Sequence, residues 1–166
     1  GAQLIMNNSG TVRTFAIGNY TQSGYEVELG YGTAASTINL TGNFSKTGGY
    51  LVTTTAALNS IINFSGTSQN IQSNGGTITK WINFNVLNGS VCTLGGQFNV
   101  DGSSPASIFT VNSGGTLNCG TFNLVAAPTA TATTFVLATG GTLSIGSAAG
   151  ITTAGTASGN IQTNIR

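Results

Sequence analysis

The 166-residue sequence has almost no charge: four Lys or Arg, three Asp or Glu, and no His, for a net charge of +1. The ionised side chains are Arg13, Lys46, Lys80, Arg166, Glu26, Glu28 and Asp101, 4% of the residues against about 25% in a typical soluble domain. General acid–base catalysis needs converging His, Asp, Glu or Lys side chains, and so few, so scattered, argue against an enzyme. A His/Cys zinc site cannot be assembled without His, and no cofactor is expected. A nucleic-acid surface needs clustered Lys and Arg, which this chain lacks. No apolar run approaches the roughly 20 residues that span a bilayer. Gly1-Ala2-Gln3 has neither the basic start nor the apolar stretch of a secretion signal, as expected of a mature piece cut from something longer.

Gly, Thr, Asn and Ser make up slightly over half of the chain, so hydroxyls and amides, rather than charges, must solvate the surface. Such a composition raises the question of disorder. Hydrophobic residues still amount to 39%, and only Pro105 and Pro128 are proline, so the chain is expected to fold, as one domain.

Apolar residues alternate in short windows such as Ile38-Asn39-Leu40, Ile62-Asn63-Phe64, Ile82-Asn83-Phe84-Asn85-Val86, Phe109-Thr110-Val111 and Phe122-Asn123-Leu124. This period of two marks strands with one buried face, and the intervening Gly-Gly, Asn-Gly and Asp-Gly pairs mark turns. No window sustains a helical pattern.

The windows also repeat. Phe84-x-Val86, Phe109-x-Val111 and Phe135-x-Leu137 superpose at offsets of 25 and 26, and Leu117-x-Cys119 matches Leu143-x-Ile145 at 26. Gly96-x-Phe98-x-Val100 matches Gly120-x-Phe122-x-Leu124 at 24, and Ile38-Asn39-Leu40 recurs at Ile62-Asn63-Phe64, also 24 on. Two or three strands per 20–26 residues, returning in the same direction, predict a parallel β-helix (β-solenoid) of about six coils, in which each coil buries its face against the next. An antiparallel β-sandwich is the alternative. Residues 34–166 carry the regular repeats, and residues 1–33 form irregular or atypical first coils. The predicted core ladder is Phe84, Val86, Phe109, Val111, Leu117, Cys119, Phe122, Phe135, Leu137, Leu143 and Ile145. Asn39, Asn63, Asn83, Asn99 and Asn123 share one register and are expected to stack as an amide ladder.

Other residues carry possible chemistry. Cys119 aligns with Ile145 and reads as a buried thiol, a disulfide with Cys92 being the alternative. In Tyr25-Glu26-Val27-Glu28 both carboxylates point to one strand face; a solvated face, a Ca²⁺ site and a glycosidase pair are the readings weighed. Tyr20, Tyr25 and Tyr31, with Glu26 and Glu28, form a candidate sugar-stacking surface. Trp81 is expected as an internal plug or a coil-end cap. Asp101-Gly102-Ser103-Ser104-Pro105 reads as an isolated turn. Thr53–Thr55 and Thr129, Thr131, Thr133 and Thr134 raise the idea of an ice-binding face, although Thr-x-Thr does not recur at the coil period.

Ser113-Gly114-Gly115-Thr116-Leu117, its echo Thr139-Gly140-Gly141-Thr142-Leu143, and residues Ile151 to Gln162 resemble the repeat regions of very large cell-surface adhesins of Bacteroidota, cargo of the type IX secretion system. The resemblance covers roughly residues 34–166. It implies a right-handed coil, secretion to the cell surface and a stalk or adhesive role, with no catalytic residues to carry over. The expected function is therefore a non-enzymatic structural or adhesive segment, with a carbohydrate-binding module and an ice-binding protein as alternatives. Expected partners are the rest of the parent chain or stacked copies through the coil edges, together with surface glycans or other cell-surface proteins.

Overall fold

The computed structural model describes residues 3–54, 59–79, 81–100, 107–126, 133–152, 158–163 and 165. The expected turn at Asp101–Pro105, as well as Lys80, Thr55, Thr129 and Thr131, lies outside these residues.

The chain starts with β1 (Gln3–Ile5), winds through β2 (Arg13–Ile17) and β3 (Tyr20–Gln22) to β4 (Glu26–Gly30), which stacks on β1 one turn later, and then β5 (Ser36–Leu40) and β6 (Phe44–Thr53). It continues through β7 (Ser60–Phe64), β8 (Gln69–Ile78), β9 (Ile82–Val86) and β10 (Val91–Val100). The last strands are β11 (Ile108–Val111), β12 (Thr116–Asn118), β13 (Leu124–Ala126), β14 (Thr134–Leu137), β15 (Thr142–Ser144), β16 (Ile151–Thr152) and β17 (Ile161–Gln162). Among the described residues every strand pairing is parallel, and there is no helix. The fold is a parallel β-solenoid, and the antiparallel sandwich is excluded.

One sheet stacks β2, β5, β7, β9, β11 and β14 in chain order. Along it the partners Phe15, Ile38, Ile62, Phe84, Phe109 and Phe135 lie 23, 24, 22, 25 and 26 residues apart, which makes about five turns rather than six coils. The other sheet is folded. The first half of β6 pairs with β3 and its second half with β4, just as β10 is matched by β12 and then β13, the breaks falling near Gly48–Gly49 and Gly95–Gly96. Each turn therefore has three faces.

Sequence explains this winding. In β5, β7 and β9 the burial alternates, and apart from Ser36 and Ser60 at the strand starts the inward set is aliphatic or Phe. Because the period is two, a one-residue slip would expose the whole set, so the apolar pattern locks the register. The glycines make close stacking possible: Gly75 has no positive φ, but a Cβ there would overlap the Thr47 carbonyl of the turn below.

The core is a column of rings. Phe64, Phe84, Phe109 and Phe135 stack at centroid spacings of 6.3, 6.1 and 6.3 Å, and Phe44 and Phe98 of the folded sheet close on them from the side. Cys92 and Cys119 are buried free thiols, which settles their reading against a disulfide. Burial pushes both thiols up to about 12.

Of the predicted ladder, Phe84, Val86, Phe109, Val111, Leu117, Cys119 and Phe135 are buried and Leu143 is half-buried against the core. Three members are exposed. Phe98 pairs with Leu124 rather than Phe122, an offset of 26 and not 24, because Phe122 closes a turn by donating its N–H to the Cys119 carbonyl. Leu137 keeps its register with Val111, but β14 is the last strand of its sheet and Ile165 bridges only its start, at Thr134 and Phe135, which leaves Leu137 exposed. Ile145 follows β15, which pairs only with β12, and is exposed for the same reason.

The amide ladder also differs from expectation. Asn63 donates to Asn39, and Asn85, not Asn83, donates to Asn63, both at 2.9 Å. Asn83 lies opposite Ile61 and accepts from the Ile108 N–H, while Asn99 belongs to the other sheet. Trp81 sits half-buried at a middle turn with φ of 65°, its carbonyl accepting from the Ser60 N–H, and does not cap a coil end. Residues 3–30 supply four strands, and β2 pairs residue for residue with β5; what sets them apart is the exposure of β1 and of most of β2.

Candidate functional site

The first corner of the solenoid carries the polar and aromatic residues singled out from sequence, but it sorts them into two groups. Tyr20 turns inward and stacks on Phe44 at 4.9 Å and 9°. Burial raises its phenol pKa above the ordinary tyrosine range. Its hydroxyl donates to Gln22 Oε1 at 2.7 Å, and Gln22, itself buried, donates through Nε2 to the carbonyls of Tyr25 (3.2 Å) and Tyr50 (2.9 Å). A chain of contacts thus runs from the Phe column to the backbone of two surface tyrosines. Nothing in a local pattern signals that Gln22 joins two turns, because Tyr50 comes from the next one.

Tyr25 is 75% exposed and Tyr50 55% exposed. The backbone at Tyr25 is left-handed, with φ of 58°, and the corresponding corners of the next two turns hold Gly49 (φ 69°) and Gly76 (φ 66°). Register shows the equivalence, since the residues that follow, Glu26, Tyr50 and Thr77, are directly paired.

Glu26 and Glu28 share a strand face, as the alternation implies, and both accept from Gln3 Nε2. They differ in surroundings. Glu26 is half-buried at the rim, whereas Glu28 is fully buried, accepting also from the Thr54 N–H at 3.3 Å and from its hydroxyl. Glu28 therefore leaves the candidate ligand surface, as does Tyr20, because their polar atoms are spent on neighbours. Tyr31 is exposed but does not line the adjoining cleft. That cleft, of about 370 Å³, is bounded by Gln3, Leu4, Thr21, Ser23, Tyr25 and Glu26 among others.

Lys46 is the other buried charged side chain among the described residues. Its ammonium donates to the carbonyls of Gly48 (3.2 Å), Gly49 (2.9 Å) and Gly75 (2.8 Å), stapling two turns at the Gly-Gly corner. Burial lowers its pKa to about 8. Of the threonine clusters, Thr53 and Thr133 are buried and Thr54 is engaged with Glu28. Among the described residues no three His, Cys, Asp or Glu gather as metal ligands, and no helix is long and apolar enough to cross a membrane. Comparison with known proteins found no family model, no curated protein and no solved structure that matches the chain.

Proposed function

We propose that the chain is a non-enzymatic structural and adhesive segment of a large secreted cell-surface protein, a stalk or adhesin repeat. The observation that supports this reading is the register-locked ladder through all six strands of one sheet, in which each turn is a template for the next. Such an architecture lengthens by adding turns, since each contacts only its neighbours. Its edges are suited to the same continuation. Leu4, Ile5 and Val12 are exposed at the first turn, and Val136, Leu137 and Ile145 at the last. Exposed apolar edges are the sites where strands recruit further strands.

The test is small-angle scattering over a concentration series. Rods growing in steps of about 24 Å, five turns at about 4.8 Å, are expected, with growth stopped by Val136→Lys together with Leu4→Lys. Particles that stay single at every concentration with both edges bare would count against the reading.

A further inference from the structure

We infer that the corner formed by Tyr25, Glu26 and Tyr50 is a saccharide-binding site that takes neutral, β-linked pyranose chains. The inference goes beyond the stalk reading and does not depend on it.

Tyr25 provides the first argument. At this corner the backbone requires a positive φ, which glycine adopts without penalty and which side chains with a Cβ rarely adopt. The next two turns meet the requirement with Gly49 and Gly76, and the first turn meets it with a tyrosine whose ring is three-quarters exposed. The ring contributes little to the core. An aromatic side chain held in a disfavoured conformation and pointed at solvent is the kind of outlier from which a functional role is inferred.

The surroundings define the ligand. Tyr50 stands outside the cleft lining but one rung along, paired with Glu26, so an exposed phenol follows the cleft-lining Tyr25 and Glu26 on the next turn. A pyranose offers an apolar face of C–H bonds for the rings and a rim of hydroxyls for polar partners. Those partners are present: the Glu26 carboxylate can accept hydrogen bonds from hydroxyls, Gln3 donates to it and holds it in place, and Thr21 and Ser23 line the cleft beside it. The cleft volume of about 370 Å³ suits one sugar unit, at the lower end of ligand sites generally. Equatorial β-linked sugars fit best because their faces are flat, and acidic sugars are disfavoured by the Glu26 charge. Buried Gln22, donating to both tyrosine carbonyls, is a positioning residue that ties the backbone of the two turns together at this corner.

The experiment is calorimetric titration of the intact chain, with saturation-transfer NMR, using cellohexaose and chitohexaose as probes and tetragalacturonate and tetramethylammonium as controls. Saturable binding of at least one neutral oligosaccharide is expected, with little for either control. Tyr25→Gly should leave the unfolding midpoint nearly unchanged, as the glycines of the next turns allow, and weaken binding at least tenfold. Tyr50→Ala, at a position of ordinary φ, should weaken it likewise, and Tyr31→Ala should not. No saturable signal for either neutral probe, wild-type affinity in Tyr25→Gly, or tighter binding of tetramethylammonium would each overturn the inference. Rod growth in scattering is unaffected by any of these outcomes.

Discussion

Replacing Phe84 by Ala should cost far more than replacing Phe135 by Ala, although both rings are buried and stand in the same ladder. Phe84 has ring neighbours on all sides: Phe98 at 5.1 Å, Phe109 at 6.1 Å, and Phe64 and Phe44 at 6.3 Å. Phe135, in the edge strand, meets one described ring, Phe109 at 6.3 Å. Truncating a buried Phe costs about 3–5 kcal/mol, and each aromatic pair adds about 0.5–1.5 kcal/mol beyond its area. The edge site should relax more easily around the gap. With the ring contacts counted inside the truncation range, Phe84→Ala falls at its upper end, about 5 kcal/mol, and Phe135→Ala at its lower end, about 3 kcal/mol. At a urea slope of about 2 kcal/mol/M, the midpoints should differ by about 1 M. Far-ultraviolet circular dichroism in a urea series measures both. Equal losses, or a larger one at Phe135, would refute the reasoning, because stability would then not accumulate through nearest-neighbour stacking.

Gly75→Ala should destabilise by about 1–3 kcal/mol through overlap with the Thr47 carbonyl, more than Gly89→Ala, where φ is 75° but the space is open and only the left-handed backbone costs about 1 kcal/mol; chemical denaturation ranks the two. Asn160→Ala should cost about 2–4 kcal/mol, since this buried amide donates to the Gly120 and Phe122 carbonyls and accepts from the Gly146 and Ser147 N–H groups; proteolysis should then trim the C-terminal segment first. Stability should rise with pH from about 8, where folded Lys46 releases its proton while the unfolded chain keeps it, at up to about 1.4 kcal/mol per pH unit. Above about pH 9 it should fall, because the unfolded thiols of Cys92 and Cys119 ionise while the buried ones stay protonated. Urea midpoints across pH 7–11 should therefore peak near 9, and Lys46→Met should remove the rising limb.

Much of the fold was legible because a solenoid writes its periodicity into the chain. The offsets of 25 and 26 at Phe84, Phe109 and Phe135 are the true stacking register, and the inward positions of these three strands at and beyond the rings are apolar. The amide ladder was less legible: Asn83 and Asn85 both lie between apolar residues and only the inter-strand pairing selects Asn85, and Asn99, in the same alternating pattern, belongs to the other sheet. Phe122 was misjudged for a related reason: sequence similarity favoured an offset of 24, and a local turn at Gly120 added two residues.

The site was less legible than the fold. Tyr20, Tyr25, Glu26 and Glu28 are close in sequence, yet Tyr20 and Glu28 are withdrawn from the surface by Phe44 and Thr54, which come from the next turn. Tyr50 joins Tyr25 and Glu26 for the same reason, being one coil away in the chain and one rung away in space.

By itself, then, the sequence determined that strands stack in parallel turns with a continuous apolar ladder, because alternation and direct repetition are local and translational properties. Tertiary structure alone decided which polar residues face water. That choice depends on what the neighbouring turn places above each side chain, and it is where Lys46 is buried at the Gly-Gly corner and Tyr25 is left exposed.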